Sequence, residues 1–299
     1  MDKGSDLYTR ITLKIVEAMK DGIGDFTMPW HAPGALVPFP VNASTHAPYR
    51  GINILSLWLD AMDRSYATGE WASYKQWQSL GAQVRKGERG SVVVFYKRIE
   101  EQEEAAEPAR KLRAVFASSH VFNAAQVDGW KPDPPPVEPR FHPHEQIEAF
   151  VVATGARVEH GYATARYRHD MDCIEMPPQA WFTGTASSTA LQSYYAVLLH
   201  ELTHWSGASH RLKRELGQRF GDAAYAMEEL VAELGAAFMC SAFGIANEPR
   251  RDHAQYLASW IRALEHDPKA IFTAAGRAQE ATQFLVNLAE ANSEPRAHS

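Results

Sequence analysis

His200-Glu201-Leu202-Thr203-His204 is the stretch on which the reading of this chain turns. Two histidines four apart share one face of a helix, one turn from each other. Their imidazoles can ligate a single zinc at about 2.0–2.1 Å. Glu201, one residue along, can reach a metal-held water without binding the metal. Zinc brings the pKa of such a water to about 7, within reach of a carboxylate base. H-E-x-x-H is therefore a metal-hydrolase pattern, although five residues alone also occur by chance on surface helices. Leu191, Tyr194, Tyr195, Leu198 and Leu202 repeat at helical spacing and predict an amphipathic helix. Gly207 follows as a stop signal. Burying His, Glu and His on such a helix is costly unless something pairs them, and a metal does so.

A catalytic zinc needs a third protein ligand and an open position, and the chain offers two candidates. His200 to His210 reads HELTHWSGASH, which matches H-E-x-x-H-x-x-G-x-x-H, the metzincin signature. Met227 to Phe238 reads MEELVAELGAAF and predicts a buried helix with acids set among apolar residues. Glu229 and Glu233 stand i and i+4 on one face of it. One could ligate the metal while the other accepts a proton from a ligand histidine. Glu228 reads as a solvated acidic edge. The glutamate helix is the stronger candidate. Arg211-Leu212-Lys213-Arg214, just after His210, reads as a basic surface turn, and a metzincin needs a Met-turn beneath the metal, whereas Met227 and Met239 fall in predicted helix. Two helices supplying His, His and Glu form the gluzincin arrangement, with a separation of His204 from Glu229 a little longer than the commonest gluzincins show.

Working outward, 299 residues suggest two domains. Hydrophobic content of 45% and charged content of 22% place the chain among globular proteins rather than disordered ones. No apolar run approaches the roughly 20 residues of a membrane span, so no membrane partner is expected. Cys173 and Cys240 are the two cysteines, too few for a disulfide framework and suited to a reducing compartment. The first residues carry no apolar signal core, so a cytoplasmic location is expected. The net charge of −6 falls wholly on the second half, the first 130 residues being balanced. Lys131-Pro132-Asp133-Pro134-Pro135-Pro136 opens a semi-stiff linker. The predicted division is a first domain over 1–130, a linker over 131–145 and a second domain over 146–299. His142 and His144, in that linker, are expected to be exposed.

In the first half, residues 7–20 and 53–62 predict amphipathic helices, with Asn53 as a cap or packing residue. Residues 32–50 are too rich in Pro, Gly and Asn for a long regular element. A short helix at Tyr74–Trp77 precedes a Gly-rich basic turn, and Ser91–Arg98 predicts a strand. Residues 100–111 predict an exposed hairpin loop, with 112–116 and 120–123 as the return. Across 75–98 stand Lys75, Arg85, Lys86, Arg89, Lys97 and Arg98 against one acid, Glu88, with Trp77, Phe95 and Tyr96 interleaved. Bases among aromatics suit single-stranded nucleic acid, the cations tracking phosphates and the rings stacking on bases. Lys75, Trp77, Arg85, Lys86, Arg89 and Lys97 are the expected contacts. The same stretch also fits a small α+β core with buried aromatics. In the second half, Asp172–Pro177 predicts an edge strand beside the metal helix, where an extended substrate could add. Helices are predicted over 146–154, 256–264 and 270–288.

LYTRITLKIVEAMKDG, MPWH, YRGINILSLW, QWQSLGAQVRKGERGSVVVFYK and HVFNAAQVDG together resemble the amino-terminal domain of ArdC-type plasmid antirestriction proteins, a domain related to one in plasmid primases. DCIEMPP, HELTHWSG and YAMEELVAELGAAF resemble the zincin-like carboxyl-terminal domain of that family. The resemblance implies an α+β protein of two domains, one binding single-stranded DNA and one like a metallopeptidase. It implies protection of incoming conjugative plasmid DNA from host restriction. It also implies His200, His204 and Glu229 as ligands of zinc or another divalent ion, and Glu201 as general base. Glu233 is then left to back a ligand histidine, and His210 completes the metzincin pattern by accident. The expected partners are single-stranded DNA and a protein substrate or restriction enzyme. The alternative is a DNA-coating or restriction-enzyme-blocking protein whose metal site cleaves nothing.

Overall fold

The computed structural model describes residues 3–22, 28, 30–31, 38–100, 112–131, 143–185, 188–215, 223–247 and 254–293. Helix α1 (Lys3–Asp21) buries Leu7, Ile11, Ile15 and Met19 along one stripe. A two-residue strand β1 (Val41–Asn42) follows, then α2 (Ile52–Asp63), β2 (Glu70–Ala72), α3 (Tyr74–Ser79), β3 (Gln83–Val84), β4 (Ser91–Glu100), β5 (Leu112–Asn123) and β6 (Val127–Asp128). The main sheet runs β1-β2-β5-β4, and β3 pairs with β6 apart from it. β4 and β5 are antiparallel from Ser91↔Val121 to Glu100↔Leu112. The two expected return segments are one strand, because small Ala117, Ser118 and Ser119 continue the ladder opposite Phe95, Val94 and Val93. The connection 101–111, expected to be an exposed loop, lies outside the described residues.

Asn53 is not the cap of α2, a position that Gly51 occupies. Its amide donates to Val94 O and accepts from Val94 N–H, both at 2.8 Å, as a neighbouring strand would. Ser56 adds a bond to Val92 O at 3.1 Å, so polar rungs fix α2 to β4 at a set register.

The second half contains α4 (Pro143–Thr154), β7 (Arg157–His160), β8 (Arg166–Arg168), β9 (Cys173–Met176), α5 (Ala190–Ser206), α6 (Ala223–Ala242), α7 (Ala254–His266) and α8 (Ala270–Ser293). Its sheet has the order β7-β9-β8. Asp172–Pro177 is thus not an edge. β9 sits in the middle, parallel to β7 and antiparallel to β8. All four of its residues are buried, Glu175 included, because Arg166 and Arg168 pair that carboxylate at 2.6 and 3.2 Å. β8 is the edge beside α5. His144 lies in α4, stacked on Tyr195 at 5.7 Å between ring centroids. His142 and residues 132–141 lie outside the described residues.

One apolar cluster draws on both halves of the chain. It joins Ile11 and Ile15 of α1 and Leu55 and Trp58 of α2 to Leu234 and Phe238 of α6, Trp260 of α7 and Ile271 of α8. The Trp58 and Phe238 rings lie 5.9 Å apart. Polar ties cross the same boundary: Thr12 Oγ1 donates to Pro268 O at 2.6 Å, and Gly51 N–H to Gln279 Oε1 at 3.3 Å. Gly51 holds φ +55 as it enters α2, a conformation glycine adopts without a steric cost. A second cluster surrounds α5, with Ile174, Leu198, Leu199, Leu202 and Leu285. No helix among the described residues is long and apolar enough to cross a membrane.

Candidate metal centre

α5 starts at a reciprocal cap. Thr189 Oγ1 accepts from Gln192 N–H at 3.2 Å, and the Gln192 side chain accepts from Thr189 N–H at 2.9 Å. Two otherwise orphaned donors are satisfied this way. From there the helix runs into the core, so that His200, Glu201, Leu202 and Thr203 are all buried. α6 packs across it, with Leu230, Leu234 and Ala237 anchoring its opposite side in the shared core.

This crossing brings His200, His204 and Glu229 together, with one ligand atom of each inside a 4.8 Å spread. The two Nε2 atoms are 3.2 Å apart. Glu229 Oε2 stands 3.5 Å from His200 Nε2, and its Oε1 stands 3.6 Å from His204 Nε2. Donors at about 2.0–2.1 Å from one zinc, at tetrahedral corners, are about 3.3–3.4 Å from one another. The spacings lie near that figure, with one Glu229 oxygen toward each nitrogen, so the residues present suit a divalent ion held by two nitrogens and a carboxylate.

Each ligand histidine is backed by a carboxylate on α6. His204 Nδ1 donates to Glu228 Oε1 at 3.2 Å. Glu233 Oε2 faces His200 Nδ1 at 3.6 Å. Such partners fix the ring and leave Nε2 to the metal. Glu228 is therefore not the solvated edge its sequence suggested. It is buried because Arg214 pairs with it at 2.9 Å while also bonding Thr203 O and Ser206 Oγ. Burial raises the Glu228 pKa, but the bonds from His204 and Arg214 outweigh it and the net shift is downward. Glu233 Oε1 is held at 2.7 Å by His31 Nε2, from the first half of the chain. Tyr225, one turn before Glu229, bonds to Glu229 and lies 3.4 Å from Tyr256 OH. Burial, then those neighbours, push its phenol well above the usual range.

Glu201 is buried, and its Oε2 accepts the backbone N–H of Tyr167 at 2.9 Å. That N–H points off the free edge of β8, so the carboxylate is oriented by the strand nearest the metal helix. Tyr167 is anchored in turn. Its hydroxyl donates to Asp172 Oδ1 at 2.7 Å, and Arg211 bonds both groups while lying 3.8 Å over the Trp205 ring. Arg211 and Arg214 are thus structural cations turned inward, not a basic surface turn. The His210 side chain is 60% exposed and sits 3.3 Å from Asp172; it is outside the ligand cluster.

The expected DNA contacts divide. Trp77 is 0% exposed and cannot stack on a base. Its indole N–H donates to Phe122 O at 2.9 Å and its ring meets Trp130 edge-on, because α3 turns that face onto β5. Arg85 is drawn into bonds with Glu88 at 2.9 Å and Asp128 at 3.6 Å. Lys75, Lys86 and Arg89 are exposed, and no carboxylate among the described residues pairs them. The side chain of Lys97 lies outside the described residues. Among the described side chains of this stretch, the rings of Tyr74 (43%) and Phe95 (46%) are exposed. Tyr74 and Phe122 line a cleft of about 560 Å³ with Arg85, Lys86 and Gly87.

Sequence reasoning missed His31, Glu228 in its actual role, Arg214, Tyr225 and the Tyr167 N–H. Of these, Tyr225 alone carried a local signal, standing i−4 to Glu229 on the same helix face.

Comparison with known proteins finds two family models, one in each half of the chain. Residues 5–122 match the family model described as the N-terminal domain of anti-restriction factor ArdC, and residues 145–277 match that of a zincin-like metallopeptidase. The uncharacterized protein y4eC of Sinorhizobium fredii is 46% identical over 94% of this chain and 92% of its own length. A DNA primase TraC of Escherichia coli is 34% identical over 93% of this chain, which spans 27% of the primase. Among solved structures, the antirestriction protein ArdC of plasmid R388 superposes at 36% identity. Its metal-free form has a TM-score of 0.78, with 96% of this chain and 98% of that one covered. Its Mn(II)-bound form has a TM-score of 0.75, with 96% and 99% covered.

Proposed function

Because the chain belongs to the ArdC antirestriction family, we propose that it binds single-stranded DNA entering by conjugation and carries a zinc-dependent peptidase centre in its second half. The observation that carries the reading is the crossing of α5 and α6. It brings one ligand atom each of His200, His204 and Glu229 within a 4.8 Å spread, beside the buried carboxylate of Glu201.

His200 Nε2, His204 Nε2 and a Glu229 oxygen would hold the ion. The Mn(II)-bound relative supports a divalent metal, and a donor set of two imidazoles and one carboxylate favours zinc. When bound, zinc makes water acidic enough to lose a proton near pH 7 and polarises the carbonyl it meets. Glu201 accepts that proton, and its bond to Tyr167 N–H holds it in place to do so. Glu228 and Glu233 face the Nδ1 atoms of the two rings and leave each Nε2 to the metal. The edge of β8 is where an extended peptide would lie, since its outward N–H already points at the base. In the first half, Lys75, Lys86 and Arg89 would neutralise phosphates, and the Tyr74–Phe122 cleft would take an unpaired base.

The test is conjugation of an unmodified plasmid into a restricting host, with wild type, Glu201→Ala and a Lys86→Ala/Arg89→Ala variant compared. Loss of protection in both variants supports the joint reading. Protection that survives Glu201→Ala and fails without the two cations supports the alternative, a DNA-coating protein whose metal site is not proteolytic.

A further inference from the structure

Resting on the metal reading above, we propose that His31 is a positioning residue of the metal centre, lent by the first half of the chain to a site built by the second. His31 is buried, as is its partner. Its Nδ1 accepts Met28 N–H at 3.0 Å, so the ring carries its proton on Nε2 and donates it to Glu233 Oε1 at 2.7 Å. The other oxygen of Glu233 faces His200 Nδ1 at 3.6 Å. One carboxylate thus lies between His31, 202 positions from it in sequence, and His200 on the neighbouring helix.

The two ligand histidines are braced differently. His204 is backed by Glu228, which Arg214 of the same half neutralises. His200 is backed by Glu233, whose near bond comes from His31. A buried carboxylate that loses a hydrogen-bond donor swings toward another one, because an under-solvated charge in the interior is expensive. That swing moves the charge that faces His200 Nδ1 at 3.6 Å, and with it the aim of Nε2 on the same ring. The His31 ring cannot drift to make up the loss. Trp30 lies edge-on beside it at 6.3 Å, and Trp30 is itself packed near Trp260 at 6.4 Å. The geometry therefore makes full metal affinity conditional on the seating of Met28, Trp30 and His31 against α6.

The experiment uses the full chain, as wild type, His31→Ala, His31→Gln, Glu233→Gln and the His31→Ala/Glu233→Gln double variant. Zinc affinity is read by competition with a chromophoric chelator. The cobalt(II)-loaded proteins are read by their visible absorption, which follows ligand geometry. Circular dichroism and thermal midpoints are taken on the metal-free proteins. Removing the partner behind a ligand histidine should weaken metal binding roughly 10–100-fold, so His31→Ala is expected to lose that much and to shift the cobalt bands. His31→Gln, which can still donate an N–H to Glu233, should recover most of both. The double variant should bind no more weakly than Glu233→Gln alone, since the two residues act in series. A His31→Ala protein with zinc affinity within about two-fold of wild type overturns the proposal. So does a His31→Ala protein that loses metal-free stability but keeps its affinity and cobalt spectrum. A wild type that takes up no metal overturns the metal reading beneath it, and so separates the two failures.

Discussion

Gly235 of α6 lies so close to Thr203 of α5 that a Cβ built on it would stand 2.7 Å from Thr203 Cγ2 and 2.8 Å from Oγ1. Neither side can yield cheaply, since Thr203 is fully buried and its hydroxyl is bonded to Leu199 O. Gly235→Ala should force the two ligand-bearing helices apart and cost about 1–3 kcal/mol of stability, the usual range for overpacking a core. Metal affinity should fall with it. Thr203→Ala in the same chain removes both close atoms and should restore the fit. Urea unfolding of the single and double variants checks this, and a Gly235→Ala protein as stable as wild type would refute it.

The ligand set predicts an asymmetry between two candidate residues. Glu229→Ala should lose the ion, because two imidazoles alone are a poor tetrahedral site. His210→Ala should keep it, because that ring is out at Asp172. Elemental analysis after dialysis decides, and the reverse pattern would return the site to the metzincin arrangement.

Glu201→Gln should retain metal while any peptidase rate falls roughly 10²–10⁴-fold, the usual loss for a general base. The amide preserves shape but accepts no proton. Unchanged cleavage of a validated substrate would remove Glu201 from that role.

For DNA, two aromatics three residues apart should behave oppositely. Tyr74→Ala should weaken single-strand binding by about 1–3 kcal/mol, as the loss of a stacking ring does, and leave the fold intact. Trp77→Ala should unfold the first half instead, because it empties a core position and orphans Phe122 O. Replacing Lys86 and Arg89 together should flatten the salt dependence by roughly one to two units of slope. Filter binding across a salt series, with circular dichroism on each variant, reads all three; equal affinity of the wild type for duplex and single strand would count against the interface.

Acid should loosen the support of β8. Arg211, and then Tyr167, hold the Asp172 carboxyl down to about 2 against its burial. A depressed folded pKa gives stability that is present above the unfolded value near 3.8 and is lost as pH falls toward 2. Asp172→Asn should therefore melt below wild type at pH 5–7, and the gap should close between about pH 4 and 2. A gap that stays constant through that window would show that the ion pair is not its source.

Much of this centre is legible in one dimension. H-E-x-x-H and the i, i+4 glutamates of α6 each declare a helix face, and two such faces can meet at a metal in few ways. What the sequence hides is non-local. Glu228 looks solvated until Arg214 is brought against it by a loop, and His31 looks idle until it arrives beside Glu233. The place of β9 was misjudged because its parallel partner β7 is separated from it in sequence by β8. Trp77 misled for a different reason. Composition counts aromatics, but in a helix as short as α3 only packing decides which ring turns inward, and Tyr74 was the one left outside.

The apolar cluster that α1 and α2 share with α6, α7 and α8 sets what can be inherited or engineered. A chain severed between 132 and 142 would present an oily face on each piece, and the metal-bearing piece would also leave behind the imidazole that steadies Glu233. Neither half is a cassette to be lifted out. Grafting the second half onto another protein requires rebuilding the surface that α1, α2 and His31 supply.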